Sequence, residues 1–260
     1  MLTRREVVLG GALTLLFGTG CSCGADAAGA ASARTPSTYG CCLAAGDVDA
    51  VYAHGTDTRL YITGNEPMIP RSGDAAFDYA LAQTLSKISD FLNVLPGFAY
   101  YDDYDGMNAY ATPTVRLTKG DGTVLFGQAL LQKLKAGVDH PEIAIAGVCA
   151  HEFGHILQFK TGVRDRLQKN QPTVKRTELQ ADFFSGFFAA KRKIEKPDYV
   201  AAVVAQAQYN FGDSQIGNPN HHGTPEERAA AVVFGFKTGF NDKKSLDEAI
   251  NISTNYFASI

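Results

Sequence analysis

The chain has 260 residues, 45% of them hydrophobic and 20% charged, with a formal net charge of −3. That balance belongs to a folded domain, and the lack of a long charged block argues against nucleic acid as a partner. The five cysteines, with Cys41 and Cys42 adjacent and Cys149 alone in an apolar stretch, make no zinc-finger spacing.

The first residues read as an export signal: Arg4-Arg5, an apolar run from Val7 to Phe17, then small residues. The run is too short to span a bilayer comfortably. Gly18-Thr19-Gly20-Cys21 fits acylation at Cys21, the one expected route to a membrane. Ala25-Asp26-Ala27 and Ala31-Ser32-Ala33 fit ordinary cleavage instead, and Thr3-Arg4-Arg5 partly fits a twin-arginine signal. The expected address is the periplasm or envelope, where a disulfide at Cys41 or Cys42 is permitted.

Residues 1–33 are read as signal and linker, 34–73 as an extended segment with a short strand at 59–63, and 74–260 as the main domain. Asp74 can cap a helix whose apolar positions recur as Phe77, Leu81, Leu85, Ile88 and Leu92, ended by Pro96-Gly97. Extended segments near 108–115 and 123–126, separated by the turn Lys119-Gly120-Asp121-Gly122, predict a small antiparallel sheet. Asp102, Asp103 and Asp105 lack the spaced ligands and final Glu of a calcium loop. From Asp139 the pattern is helical, over roughly 141–160, 173–194 and 199–209. Capping boxes at Thr224 and Ser245 then open two more helices. Phe183-Phe184 and Phe187-Phe188 are expected in the core. The class is α+β with helices in the majority.

His151-Glu152-Phe153-Gly154-His155 is an HExxH pattern inside one of these helices. Residues four apart on a helix differ by about 40° in azimuth, so both imidazoles leave one face and can share a metal. Glu152 points beside that face and can act as general base toward a metal-bound water. A catalytic zinc takes three protein ligands and keeps a position for water. Gln158 and Thr161 stand where the metzincin continuation needs Gly and His, so that class is excluded. The next helix carries Glu178-Leu179-Gln180-Ala181-Asp182, where one carboxylate can bind the metal and the other can accept from a ligand imidazole. His54 and His140 have no metal-like spacing, and His140 suits a helix entry.

From about residue 96 to 236 these motifs resemble the gluzincin zinc metallopeptidases, in particular the soluble relatives of the HtpX-like prenyl-protease branch. The resemblance implies a zincin-like catalytic domain with Glu178 as third zinc ligand and Asp182 supporting a ligand histidine. Asn108-Ala109-Tyr110 is similar to an edge strand that lines the substrate cleft. His222, six residues before Arg228, resembles an H-x5-R element whose histidine assists the reacting carbonyl oxygen. Gly223 departs from the proline usual in that branch, and His221 is the one rival to His222. The resemblance implies a zinc-dependent endopeptidase with a peptide or protein as substrate, Glu152 and His222 as catalytic groups, and Asn108, Ala109, Tyr110 and Arg228 toward the substrate. The alternatives are an exported zinc-binding assembly or binding protein with a silent site, and a hydrolase of non-peptide amides. The presence of Glu152 disfavours the silent site, because a structural zinc needs no base.

Overall fold

A computed structural model describes residues 66–103, 106–117 and 120–260. The signal, the strand at 59–63, Cys21, Cys23, Cys41, Cys42, His54, Asp105 and Lys119 lie outside the described residues. Helix α1 (Ala75–Leu92) starts where expected, with the Asp74 carboxylate accepting from the Phe77 N–H at 3.0 Å. Leu81, Leu85, Ile88 and Leu92 form its buried stripe.

Three strands follow: β1 (Gly97–Tyr101), β2 (Ala109–Thr112) and β3 (Thr123–Gly127), in the order β1-β3-β2. β2 pairs antiparallel with β3, Ala111 opposite Val124. The sheet is mixed rather than antiparallel, because β1 runs parallel to β3 with Phe98 opposite Val124. β1 carries no period-two signal, since all five of its residues are buried and both faces are apolar. Side chains alternate across β2. Ala109 and Ala111 face the helical core, whereas Tyr110 joins Ala99, Tyr101 and Leu125 on the other side.

Helix α2 (Gln128–Gly137) follows β3 without a capping side chain of its own. Its first N–H groups are satisfied from a distance. The buried Asp103 carboxylate accepts from Ala129 at 2.6 Å, from Leu130 at 3.0 Å and from the Asn108 N–H at 3.1 Å. Asp103 is thus a cap joining the β1–β2 connection to α2.

The remaining helices are α3 (Pro141–Thr161), α4 (Val163–Gln168), α5 (Lys175–Glu195), α6 (Ala202–Asn210), α7 (Pro225–Phe240) and α8 (Leu246–Ala258). Pro141 occupies the first turn of α3 behind His140, and the capping boxes at Thr224–Glu227 and Ser245–Glu248 both form. α3 is buried from Ile143 through Gln158, as befits a helix apolar all round. Cys149 lies inside it, fully buried and reduced, with burial pushing its thiol well above the ordinary range. Phe183, Phe184, Phe187 and Phe188 are each at most 1% exposed and pack with Phe91, Phe234 and Phe257. They are core, each contributing roughly 1.5–3 kcal/mol by burial.

Two glycines bring α5 and α7 into close contact. A Cβ on Gly186 would lie 1.9 Å from the Val232 carbonyl oxygen, and one on Gly235 would lie 1.8 Å from that of Phe183. Gly154 does the milder version of this between α3 and α5, against Ala181. This spacing brings Arg228 of α7 within hydrogen-bond reach of Asp182 on α5. No described helix is long and apolar enough to cross a membrane.

Candidate metal centre

α3 and α5 bring His151, His155 and Glu178 together in the core, exposed by 2%, 0% and 0%. The two Nε2 atoms are 3.1 Å apart. His151 Nε2 lies 3.4 Å from Glu178 Oε2, and His155 Nε2 lies 3.4 Å from Glu178 Oε1. Donors around a four-coordinate ion with bonds of about 2.0–2.2 Å are separated by roughly 3.3–3.6 Å. The spacing of the three residues therefore fits one small cation, and this buried group could hold a metal ion.

The protonation pattern points the same way. His151 Nδ1 is 2.8 Å from Asp182 Oδ1, and a carboxylate can only accept, so Nδ1 carries the proton. His155 Nδ1 is 2.9 Å from Gln158 Oε1. The oxygen faces His155 because Gln158 Nε2 donates to the Thr177 carbonyl at 2.8 Å and to Gln180 Oε1 at 3.0 Å. Both Nε2 atoms thus turn toward Glu178, whose two oxygens have no hydrogen-bond partner. Burying an unpaired carboxylate costs several kcal/mol, and a cation removes that cost.

Without a cation the negative field holds a proton instead. Burial would lower the His151 pKa, but Asp182, Glu178 and Glu152 raise it to about 10. Burial likewise opposes ionisation of Glu178, yet His155 and then His222 hold its carboxyl well below the usual range. Metal binding displaces the proton, as it does at imidazole and carboxylate sites generally.

Around the ligands lies a support that the sequence showed only in part. Asp182 accepts a fork from Arg228, at 2.8 Å from Nε and 2.9 Å from Nη2. Burial alone would raise the Asp182 pKa, but Arg228 and His151 bring it below its ordinary value. Behind Gln158, Gln180 Nε2 donates to Ser253 Oγ at 3.0 Å and Thr254 Oγ1 at 2.9 Å. A chain of buried side chains therefore runs from His155 to α8. Replacing Gln158 with Leu should lower metal affinity about 10–100-fold, the usual effect of losing such a partner. Chelator competition measures this. An Nε2–H tautomer for His155, found by nitrogen NMR on the metal-free wild type, would contradict the assignment.

Next to the centre is a cavity of about 110 Å³, lined by Asn108, Ala109, Leu130, Val148, His151, Glu152, Gln208, Phe211, His222 and Arg228. Glu152 is 1% exposed, its Oε2 has no hydrogen-bond partner, and burial pushes its pKa up to about 8. The loop between α6 and α7 brings in His222. Asp213 accepts from the His222 N–H at 3.0 Å and is 2.6 Å from His221 Nδ1. His221 is thereby bound to Asp213 and buried, and of the two it is His222 that lines the cavity. Burial leads the lowering of the His222 pKa, so its ring is neutral at pH 7. Gly223 has φ 111°, which proline cannot adopt, so this loop requires a residue other than proline there.

Compared with protein-family models, curated proteins and solved structures, the chain finds no match. Of the residues assigned to the substrate by the sequence, Asn108 and Ala109 line the cavity. Tyr110 does not. It is fully buried on the opposite face of the sheet, and its hydroxyl bonds to Glu66, because neighbouring strand residues point to opposite sides. Arg228 reaches the cavity wall, but its guanidinium is engaged by Asp182, Gln208 and the Phe211 carbonyl. Its place there is structural. The sequence reading missed Gln158 as a partner of His155, although its position three residues later on one helix face was a signal for it. Asp213, Gln208, Ser253 and Thr254 carry no spacing signal.

Proposed function

We propose that this chain is an exported zinc metallopeptidase of the gluzincin type, with a zincin-like catalytic domain and a peptide or protein as substrate. One observation carries the reading: a buried carboxyl with an unpartnered oxygen, Glu152, borders an open cavity next to the three-donor cluster. A site built only to hold a structural ion has no use for it.

A zinc ion held by His151 Nε2, His155 Nε2 and Glu178 would supply Lewis acidity, polarising a carbonyl and making water more acidic. Glu152 Oε2 accepts the proton that water loses as its oxygen bonds to the scissile carbon. It then delivers that proton to the amine nitrogen as the C–N bond breaks. His222, neutral, donates a ring N–H to the carbonyl oxygen as charge develops there. An extended peptide adds along β2, an edge strand of the described sheet, which brings it past Asn108 and Ala109.

The test is cleavage of a peptide library by the zinc-loaded protein and by His222→Ala. The substitution should lower kcat about tenfold with little change in KM, since the contact strengthens only in the transition state. A silent site predicts no cleavage by either protein.

A further inference from the structure

Gln208, on α6, borders the same cavity at 2% exposure, and the mechanism above makes no use of it. Its Oε1 accepts from Arg228 Nη2 at 3.1 Å. A guanidinium only donates, so this bond decides which end of the amide is oxygen. Arg228 is itself held by its fork onto Asp182, so the amide cannot turn over without losing that bond. The other end, Nε2, is buried without a hydrogen-bond partner. A buried donor left unpaired is unfavourable, and such groups in a cavity wall are where a ligand's acceptor is recognised. The rest of the wall narrows the choice of acceptor. Ala109, Leu130, Val148 and Phe211 are apolar, and the guanidinium in the wall, Arg228, is already engaged by the Asp182 carboxylate rather than turned to an anionic ligand. A neutral carbonyl beside an aliphatic group meets these conditions.

We propose that Gln208 is a substrate-binding residue whose Nε2 donates to a backbone carbonyl oxygen of a peptide, with a small aliphatic side chain of that peptide against the apolar wall. The identity of the ligand as a peptide rests on the metallopeptidase reading; the unpaired donor does not.

The probe is a fluorogenic peptide library with Ala, Val or Leu at its central position. Gln208→Glu keeps an oxygen toward Arg228 and replaces the donor with an acceptor. Cleavage is measured on the wild type and Gln208→Glu, and binding by fluorescence polarisation on Glu152→Gln and on the double variant Glu152→Gln/Gln208→Glu. We expect kcat/KM and binding each to fall about tenfold or more, with zinc content and Tm unchanged. Gln208→Met, similar in length and also without a donor, should repeat the loss. Equal cleavage and binding with and without the donor would overturn the proposal and reduce Gln208 to a brace for Arg228, leaving the peptidase reading intact. Loss of fold or zinc in both variants would overturn it in the same way. Peptide binding that depends on Gln208 without any cleavage would support the proposal and end the peptidase reading. Neither binding nor cleavage by the wild type would end both.

Discussion

Replacing Glu152 with Gln should lower peptide hydrolysis by about 10²–10⁴-fold, the usual contribution of a positioned acid–base group. The side chain keeps its size, so the cavity beside His151 keeps its shape. His151, His155 and Glu178 are untouched, and zinc content should stay near that of the wild type. Thermal stability should hold or rise slightly, because the substitution removes a carboxyl whose ionisation burial already opposes. Glu178→Ala makes the contrast, since it takes away a donor and should lose metal and activity together. The comparison is read by metal analysis and initial rates on the same preparations. Unchanged hydrolysis by Glu152→Gln would sink the general-base assignment.

The second large effect is on stability. Arg228→Met should cost about 3–5 kcal/mol, because it leaves the Asp182 carboxylate buried with one of its two partners gone. For a domain of this size that corresponds to a fall in Tm of roughly 6–20 °C. Arg228→Lys should recover only part of it, since an ammonium cannot form the two-pronged contact with Oδ1 and Oδ2. The loss should reach the metal as well. Asp182 also orients His151 through Nδ1, and a carboxylate free to turn holds that tautomer less firmly. Denaturant titration and zinc competition on the same variant separate the two consequences. A change under about 1 kcal/mol would show that the fork is not holding α5 to α7.

The elements legible in the sequence were those with a local period or a local cap. Phe77, Leu81, Leu85, Ile88 and Leu92 mark α1 by spacing, and Asp74 marks its start within a residue. Thr224 and Ser245 mark α7 and α8 through capping boxes that both form. β1 was missed because a strand buried on both faces has no alternation to read, and α2 because its cap, Asp103, is 25 residues before its first residue. The convergence of His151 and His155 follows from helical geometry alone. The approach of Glu178 depends on two helices packing in register, which spacing within either one does not encode. Tyr110 shows the opposite failure. A motif read as a block ignores the pleat, and only Asn108 and Ala109 of the three line the cavity. Close helix approaches carry no sequence period either: Gly154 faces Ala181 of α5, and Gly186 packs α5 on α7 against Val232.

In the proposed function, the buried His151–His155–Glu178 group holds zinc for peptide hydrolysis. That role is tested most directly by stripping the protein of metal and titrating zinc back while hydrolysis of the peptide library is followed. The stripped protein should show no hydrolysis, and activity should then rise and saturate at one equivalent of zinc per chain. Hydrolysis that survives complete metal removal, or its absence at full zinc loading, would contradict it.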